Sequence, residues 1–276
     1  MKLGISSLSH IITTSWHFQG KNLHKLLIEA TRTCLEFSEV HQLDVCELVI
    51  DPDTTLELEK KNEFIEVCKE FALPKQIHAA LIDVSLCSNN PKISEGTLDT
   101  FKNNVDIANA LGARTITIHP GVANIPIPVL KGNNYSTLLH QLKELLAYSK
   151  GMGVKICLEN MDPKAGLCRN DQELLTLYQD IGDPDLWFTY DTSHLWMNSC
   201  EYSQFIDTLH PYIGNVHLAD NADKKFDQHP CIGMGNVPFP EILNILRTHN
   251  YSNSLVIELM DVKGLKKSID YIRKIL

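Results

Sequence analysis

The sequence predicts a closed barrel of eight parallel strands with helices on its outside, a (β/α)8 or TIM barrel. Short apolar runs rich in β-branched residues occur eight times along the 276 residues, and each is followed by a longer stretch of helical periodicity. The average unit is about 34 residues long, which suits one strand, one helix and two loops. Apolar strands that alternate with amphipathic helices indicate a parallel sheet covered by helices.

The elements follow one another regularly along the chain, and together they predict a single domain over residues 1–276. Strands are expected at residues 2–6, 44–50, 75–80, 114–119, 154–159, 187–191, 213–218 and 254–259. Helices are expected at residues 22–42, 55–72, 92–111, 134–151, 171–181, 202–210, 238–249 and 263–275. In the first helix the apolar residues share one face, as packing against a sheet requires: Leu23, Leu26, Leu27, Ala30, Cys34 and Leu35.

An open, doubly wound sheet is the alternative architecture. Its first strand would be followed by a glycine-rich phosphate turn, but residues 2–11 read KLGISSLSHI and contain no G-x-G-x-x-G. The barrel is therefore favoured. The longest irregular connection is predicted at residues 122–134, on the side of the barrel where loops carry function.

Composition limits the classes of function. The chain has 25 Lys and Arg against 34 Asp and Glu, and a net charge of −9 disfavours a broad electrostatic surface for nucleic acid. The eight cysteines form no C-x-x-C pair and are interpreted as reduced, packed thiols of a cytoplasmic protein. Neither an apolar run of membrane-spanning length nor a signal-peptide pattern is found, so membrane insertion and secretion are not expected.

Polar side chains mark the ends of seven predicted strands. These residues, in chain order, are Glu47, His78, His119, Glu159, Asp191, His217 and Glu258. His194 lies three residues after Asp191, and Asp227 and His229 form a D-x-H pair in the loop after the seventh strand. Because all strands of a parallel barrel end at one rim, and barrel enzymes react there, we expect these side chains to meet.

A cluster of carboxylates at this rim predicts a bound cation. Burying several uncompensated charges together costs several kcal/mol for each, and a divalent metal ion supplies the compensation. The best-supported ligands are Glu159, Asp191, His217 and Glu258. Nitrogen and oxygen ligands without thiolate suit Zn²⁺ or Mn²⁺ better than Ca²⁺, but the sequence does not choose the metal.

The segments that carry these residues resemble the xylose isomerase-like TIM-barrel superfamily. They are QIHAALIDVSL, TITIHPG, ICLENM, YDTSH, NVHLAD, FDQHPCIGMGNVPF and LVIEL, and they span the chain from the first region of the barrel to the last strand. The superfamily contains sugar isomerases and epimerases as well as apurinic/apyrimidinic endonucleases of the endonuclease IV type. The resemblance leaves both branches open.

In the endonuclease IV branch three zinc ions are held by nine residues, and this sequence has a candidate for each. The resemblance implies these ligands: His78, His119 and Glu159 for the first ion; Glu159, Asp191, His217 and Glu258 for the second; His194, Asp227 and His229 for the third. Such a centre would lower the pKa of a bridging water and hydrolyse a phosphodiester. The partner would then be nucleic acid.

In the isomerase and epimerase branch the resemblance implies one divalent ion. Its ligands would be the residues that match Glu159, Asp191, His217 and Glu258. The two glutamates would also be the catalytic residues, relaying a proton between carbons or faces of a sugar while the ion polarises its oxygens. His194 would bind a substrate oxygen.

The loops that would bind substrate favour the isomerase branch. DNA endonucleases of this family carry an Ala-Gly-Gly-type loop after strand one and a Lys-Asn-x-Arg-x-Trp-like loop after strand two, whereas here these places read SSLSHIITTSW and IDPDTT. Asp51 and Asp53 would repel phosphates there. Glu47 resembles a residue that sugar isomerases place on the second strand, and Trp16 with His17 is expected to form an apolar wall against a small sugar.

The first hypothesis is therefore a divalent-metal isomerase or epimerase of a small sugar, sugar phosphate or polyol. The alternative is an endonuclease IV-like trinuclear zinc phosphodiesterase; a barrel that only binds a sugar or partner is disfavoured by the complete ligand set. Lys131 and Arg169 are the nearest candidates for contacting a phosphate group. Three glycines are expected to let the backbone turn beside the pocket: Gly121, Gly233 and Gly235. The substrate and the oligomeric state stay open.

Overall fold

Eight parallel strands close into a barrel, which confirms the predicted fold class. The computed structural model describes residues 1–20, 22–123 and 127–276. Each strand pairs with the next one along the chain, and the last pairs with the first. The strands are β1 (Lys2–Ser6), β2 (Val45–Val49), β3 (Lys75–His78), β4 (Thr115–Ile118), β5 (Lys155–Glu159), β6 (Leu186–Asp191), β7 (Ile213–Leu218) and β8 (Ser254–Ile257).

Helices connect the strands. They are α1 (Leu8–His17), α2 (Leu23–Val40), α3 (Leu58–Lys69), α4 (Pro91–Ala110), α5 (Pro128–Ser149), α6 (Asp171–Ile181), α7 (Thr192–Met197), α8 (Tyr202–Leu209), α9 (Phe239–Thr248) and α10 (Leu265–Ile275). Several begin at an asparagine whose side chain accepts hydrogen bonds from free backbone N–H groups, as Asn22 does for α2 and Asn170 for α6.

Two helices were not predicted from the sequence. Helix α1 follows β1 directly, although its residues LSHIITTSWH include several that favour helices weakly. It is held by packing, since Ile11 lies in a small apolar cluster with Ala30 and Val49. Helix α7 begins directly after β6, and its first turn is capped by Asp191. Both helices follow strands at the end of the barrel that carries the predicted site.

The connection predicted at residues 122–134 is shorter than expected. Helix α5 begins at Pro128, so the second half of that segment is helical. Proline is tolerated in the first turn of a helix because the backbone N–H groups of that turn have no intrahelical acceptor, so the N–H that proline lacks is not missed. Residues 124–126 lie outside the described residues.

The apolar core lies between the strands and the outer helices. Large side chains from four helices are fully buried in it: Phe64, Phe101, Phe205 and Phe239. A core of this kind fixes the barrel, and the strand ends then hold their side chains at one rim.

Part of the barrel interior is polar. Glu47 is fully buried, and its Oε2 accepts hydrogen bonds from Gln76 Nε2 at 2.7 Å and from Asn215 Nδ2 at 2.9 Å. The amide oxygen of Asn215 accepts from Ser254 Oγ at 2.9 Å. These hydrogen bonds satisfy buried polar groups that would otherwise destabilise the interior.

Two further observations bear on the composition. The eight cysteines are free, and six of them are buried. Among the described residues, no helix is both long enough and apolar enough to span a bilayer.

Candidate metal centre

The side chains at the carboxyl ends of the strands converge, as the sequence predicts. His78, Glu159 and Asp191 are the last residues of β3, β5 and β6. His217 lies near the end of β7, and Glu258 follows β8 directly. All five are buried, with at most 4% of their surface exposed. Parallel strands therefore deliver three carboxylates and two imidazoles to one enclosed place.

Glu159 is the centre of the cluster. Its Oε2 lies 3.0 Å from His119 Nε2 and 3.4 Å from His78 Nε2. Its Oε1 lies 3.3 Å from His217 Nδ1 and 3.4 Å from His194 Nδ1. One carboxylate thus contacts four imidazoles and occupies the position that a bridging ligand would need.

A group of four residues presents ligand atoms toward one point. Glu159, Asp191, His217 and Glu258 each offer one nitrogen or oxygen atom, and these atoms lie within 4.8 Å of one another. His217 Nδ1 is 3.3 Å from Glu258 Oε2, the same distance as from Glu159. Asp191 Oδ2 is buried and has no hydrogen-bond partner among the described residues.

A second group lies beside the first and is organised by Asp227. Its two carboxylate oxygens lie 3.1 Å from His194 Nε2 and 2.9 Å from His229 Nε2. Both ring nitrogens of His229 are buried without a hydrogen bond to any described residue. His229 also contacts the first group, since its Nδ1 is 3.7 Å from Glu258 Oε2.

All nine predicted ligands belong to one connected cluster. Each has a ligand atom within 3.7 Å of an atom of another member. Because a buried polar atom is normally paired, the unpaired Oδ2 of Asp191 and the unpaired Nδ1 of His229 indicate a missing partner. These nitrogen and oxygen donors fit a divalent cation such as Zn²⁺ or Mn²⁺.

Backbone carbonyls determine which nitrogen of two histidines faces the cluster. Nδ1 of His78 lies 2.8 Å from the carbonyl oxygen of Ala79, and Nδ1 of His194 lies 2.8 Å from that of Asn160. A carbonyl only accepts hydrogen bonds, so each Nδ1 carries the hydrogen. The lone pair on each Nε2 is then available to a metal ion, as is common for histidine ligands.

The carboxylates of the cluster have opposite pKa shifts. Burial raises the pKa of Glu159, but the imidazoles of His217 and His119 outweigh burial and hold it well below its ordinary value. Burial raises the pKa of Asp191 to about 6, even though the charge of His194 opposes the shift. Without a cation, Glu159 is therefore held in its charged form by the imidazoles, whereas Asp191 takes up a proton more readily than an ordinary aspartate.

Four imidazoles of the cluster, those of His78, His194, His217 and His229, have raised pKa values. Burial lowers the pKa of His78, but the hydrogen bond to Glu159 outweighs burial and raises it to about 9. The contact with Asp227 likewise outweighs burial at His229 and raises its pKa to about 9. In the metal-free protein the rings of His78 and His229 are therefore protonated on both nitrogens and positively charged near neutral pH.

The family of the chain follows from a comparison with known protein families. The model of the xylose isomerase-like TIM barrel matches residues 36–275, which is most of the chain. The chain belongs to the xylose isomerase-like TIM-barrel family. This confirms the resemblance that the strand-end segments predict.

Sequence relatives of this family member include uncharacterized proteins and probable endonucleases. A protein of Methanocaldococcus jannaschii named as uncharacterized is 26% identical, over 100% of this chain and 89% of its own length. The probable endonuclease 4 of Mycoplasmoides gallisepticum is 25% identical, over 66% of this chain and 62% of its own length.

Solved structures share the fold. A D-tagatose 3-epimerase-like protein has a TM-score of 0.83 at 23% identity and covers 100% of this chain and 97% of its own. The D-psicose 3-epimerase from Clostridium cellulolyticum H10 has a TM-score of 0.78 at 16% identity and covers 100% of this chain and 99% of its own. At these identities the likeness shows the barrel fold.

Glu47 occupies a deeper position in this family member than a substrate contact would. It is fully buried, and its Oε1 lies 2.9 Å from Nε2 of His217, on the side of the ring that faces away from Glu159. Glu47 therefore contacts His217 from below the cluster. The sequence places it correctly on β2 but does not reveal that its partner is another side chain.

Asp220 is a further residue of the site that was given no role from the sequence. Its carboxylate is fully buried and accepts hydrogen bonds from the backbone N–H groups of Gly233, Gly235 and Val237 at 2.8, 2.8 and 3.2 Å. A Cβ atom at Gly235 would lie 2.3 Å from Asp220 Oδ1, so only glycine fits there. The H-x-x-D and G-x-G patterns are the sequence signal for this contact.

Asn160 was also given no role from the sequence. Its side-chain Oδ1 accepts from the backbone N–H of Asp191 at 2.7 Å, and its Nδ2 donates to the carbonyl of Asp191 at 3.1 Å. The residue that follows β5 is thereby tied to Asp191, the last residue of β6. The ICLENM segment contains this asparagine, but only the structure shows what it binds.

The glycines near the site have distinct reasons for their positions. Gly121 and Gly233 have positive φ values of 93° and 89°, a conformation that favours glycine. At Gly121 a Cβ atom would also lie 2.3 Å from Ser85 Oγ. Gly121 and Gly233 therefore lie in tight turns, as expected. Glycine is required at position 235 for another reason, because Asp220 lies too close for a side chain.

The acidic loop after β2 differs from the expectation. Asp51 is buried, and its Oδ2 accepts from the backbone N–H groups of Leu81 and Ile82 at 2.7 and 2.9 Å. Asp53 Oδ1 accepts from Thr55 N at 2.8 Å. The expectation that Asp51 faces and repels a phosphate is therefore corrected, because its charge is used to hold the next loop.

The remaining candidates for substrate contact lie away from the ligand cluster. Arg169 forms an ion pair with Glu173, and Lys131 lines a separate cavity of about 330 Å³ with the same Glu173. These positions do not support a phosphate contact at the cluster. Trp16 is in the last turn of α1 with 75% of its surface exposed, so its role as an apolar wall stays a prediction.

Proposed function

We propose that this protein is a divalent-metal-dependent isomerase or epimerase that acts on a small sugar, sugar phosphate or polyol. The observation that carries the proposal is the group of four ligand atoms within 4.8 Å of one another, in which two glutamate oxygens each lie 3.3 Å from the same histidine nitrogen. Glu159, Asp191, His217 and Glu258 would hold the ion. When bound, a divalent ion would polarise a carbonyl group and acidify the neighbouring C–H bond.

Glu159 and Glu258 would move the proton. Each has a carboxylate oxygen 3.3 Å from His217 Nδ1, so the two carboxylates reach the same small region. One would take a proton from the carbon beside the carbonyl, and the other would return a proton to the opposite face or to the neighbouring carbon. No carbon–oxygen single bond is cleaved and no water is consumed, so the products are isomers of the substrate.

The surroundings of the cluster favour a small substrate. The nearest basic candidates, Lys131 and Arg169, are associated with Glu173 and not with the cluster. A protein with a net charge of −9 gains little from the phosphate backbone of a long nucleic acid. The epimerase fold shared with the solved structures is consistent with a sugar-sized ligand, and His194 would contact an oxygen of it.

A second candidate function rests on a different observation. The other ligands, His78, His119, Asp227 and His229, would have no metal to bind if only one ion were present. Their convergence favours a centre with up to three zinc ions, of the type that would hydrolyse a phosphodiester. The similarity to probable endonuclease 4 sequences supports the same alternative.

Isotope exchange distinguishes the two functions. The metal-loaded protein is incubated with a panel of ketoses in D₂O, and deuterium at carbon is measured by NMR. The proposal predicts exchange beside the carbonyl for at least one sugar. It also predicts loss of at least about 100-fold in Glu258→Gln, which removes a proton-transfer group, and no change in the exposed control Glu241→Gln.

The nuclease alternative has its own readout. Abasic-site DNA is incubated with the same preparation, and the metal content is measured. Three zinc ions per chain with DNA nicking and no deuterium incorporation would overturn the isomerase proposal. His229→Ala adds a comparison, since it would abolish a trinuclear hydrolase but affect a mononuclear isomerase mildly.

A further inference from the structure

A cavity of about 540 Å³ opens at the end of the barrel opposite the ligand cluster. Its walls include the first residues of five strands and the loops that precede them: Lys2, Val45, Lys75, Thr115 and Ser254. The metal-ligand candidates come from the carboxyl ends of the strands, so the two sites are separate. The family comparison and the predicted ligand set assign nothing to this cavity.

The cavity is cationic in an otherwise acidic chain. Lys2, Lys69, Lys75 and Arg114 line it, and no described residue of its lining is Asp or Glu. Lys69 is paired with Glu66 at 3.3 Å. Lys2, Lys75 and Arg114 form no ion pair with a described carboxylate, so three positive side chains share one concave space.

This arrangement is electrostatically unfavourable unless an anion is present. Lys75 is half-buried, and its ammonium group donates only to the backbone carbonyl of Phe71. Like charges that line the same concavity repel one another, and low-dielectric walls strengthen the repulsion. A bound anion would convert that repulsion into attraction.

The floor of the cavity disfavours a neutral sugar as the ligand. Gln76 and Ser254 are the buried polar residues there, but Gln76 Nε2 donates inward to Glu47 and Ser254 Oγ donates inward to Asn215. Their hydrogen-bond donors are thus already engaged. The cations supply the charged contacts, Thr115 and Asn253 add two neutral polar side chains, and Phe71 and Leu73 supply an apolar wall.

The enclosed shape and the net charge also disfavour a long polyanion. Three unpaired cations neutralise only a few phosphates, and a net charge of −9 would repel the rest of a nucleic acid. The volume of the cavity suits a compact ligand. We propose that the cavity between the loops before β3 and β4 binds a small phosphate-bearing anion, held by Lys2, Lys75 and Arg114.

Titration calorimetry with inorganic phosphate tests the proposal on the full-length, metal-loaded protein. We expect saturable binding in the wild type and a decrease in affinity of at least about tenfold in Lys2→Gln/Arg114→Gln, because two of the three cations are removed. The control Lys92→Gln/Lys143→Gln removes the same charge at exposed sites outside the cavity and should bind as the wild type does.

Phosphate that bound at the metal ligands would be unaffected by the cavity variant, which separates the two ends of the barrel. Unchanged affinity in Lys2→Gln/Arg114→Gln would overturn the proposal, as would the absence of binding in the wild type up to about 10 mM phosphate. Should the double variant unfold, Arg114→Gln alone is expected to weaken binding about threefold or more, and unchanged affinity there would also overturn it. The proposed sugar chemistry does not depend on this result.

Discussion

At the scale of single residues, the orientation of His217 is the most consequential feature of the site. Its Nδ1 faces the carboxylates of Glu159 and Glu258, while its Nε2 faces the buried carboxylate of Glu47 at 2.9 Å. A carboxylate on the far side of a histidine keeps the hydrogen on that nitrogen and makes the other a better ligand. We therefore expect Glu47 to act as a positioning residue for His217, and its contact with substrate stays a prediction.

Glu47→Gln should weaken metal binding. The amide oxygen would have to accept from Gln76 and Asn215, which would point the amide N–H groups at His217 Nε2. Two donors would then face each other, and the histidine would be driven to the wrong tautomer. We expect about 10- to 100-fold weaker affinity for Zn²⁺, measured by competition with a chelator.

Two outcomes decide the role of Glu47. The exposed control Glu144→Gln should retain wild-type affinity. If Glu47→Gln bound Zn²⁺ as tightly as that control, Glu47 would not position His217. A wild type that bound no metal would instead contradict the metal centre itself, so the two failures are distinguishable.

Metal binding should release protons near neutral pH. Burial lowers the pKa of His217, a ligand of the proposed ion, but in the metal-free protein the carboxylates of Glu47 and Glu159 outweigh burial and raise it well above its ordinary value, so the ring is positively charged at pH 7. A metal ion binds only the neutral ring, and proton release makes the apparent affinity rise with increasing pH. Calorimetry in buffers of different ionisation enthalpy measures the number of protons released. Binding without proton release at pH 7 would contradict this assignment of protons.

At the scale of elements, the side chain of Asp220 is a main anchor of the loop after β7. Asp220 accepts three backbone hydrogen bonds from residues 233–237, and the same loop carries Asp227 and His229. Loops usually move more than the strands they join. The buried carboxylate thus fixes a long loop and, with it, two metal-ligand candidates.

Asp220→Ala should destabilise the protein and loosen this loop. Three backbone N–H groups would lose their acceptor, and each unsatisfied buried group costs about 1–3 kcal/mol, so we expect unfolding to become easier by about 3 kcal/mol or more. Urea unfolding measures this loss. Asp99→Ala, at an exposed position on α4, should change stability little.

A metal measurement distinguishes positioning from general stability in the Asp220 variant. Zn²⁺ held by Asp227 and His229 should be lost before Zn²⁺ held by Glu159 and His217. Equal loss of all bound metal, or none, would argue against a specific role for Asp220 in holding the loop.

The sequence predicts the barrel elements well because their periodicity reflects the fold directly. The apolar run of a strand such as β5 and the amphipathic pattern of a helix such as α2 can each be recognised in a short stretch of the sequence. Helix α1 is different, since packing of Ile11 on Ala30 and Val49 supports residues of weak helical preference. Tertiary contacts of that kind leave no local pattern.

In the site, too, the features set by local sequence can be predicted and the long-range contacts cannot. The positions of Glu159, Asp191 and His217 at strand ends are predictable because parallel strands share one rim. The contact of Glu47 with His217 joins residues 170 positions apart in the chain, and burial of Asp51 depends on the neighbouring loop. Such long-range partners appear only in three dimensions.

At the scale of the whole molecule, the barrel has two chemically different ends. Carboxylates and imidazoles meet at the carboxyl ends of the strands, and cations line the cavity at the other end. Between them, Glu47, Gln76 and Asn215 form a hydrogen-bonded layer inside the barrel. We therefore propose that the barrel binds a metal ion at one mouth and a small anion at the other.

Anomalous diffraction from crystals grown with Zn²⁺ tests the metal centre most directly. The account predicts a strong peak bounded by Glu159, Asp191, His217 and Glu258, at about 2.0–2.2 Å from a nitrogen or oxygen of each. In Glu159→Gln that peak should be absent or much weaker. No peak among these four side chains in the wild-type protein, or zinc bound only elsewhere, would contradict the account.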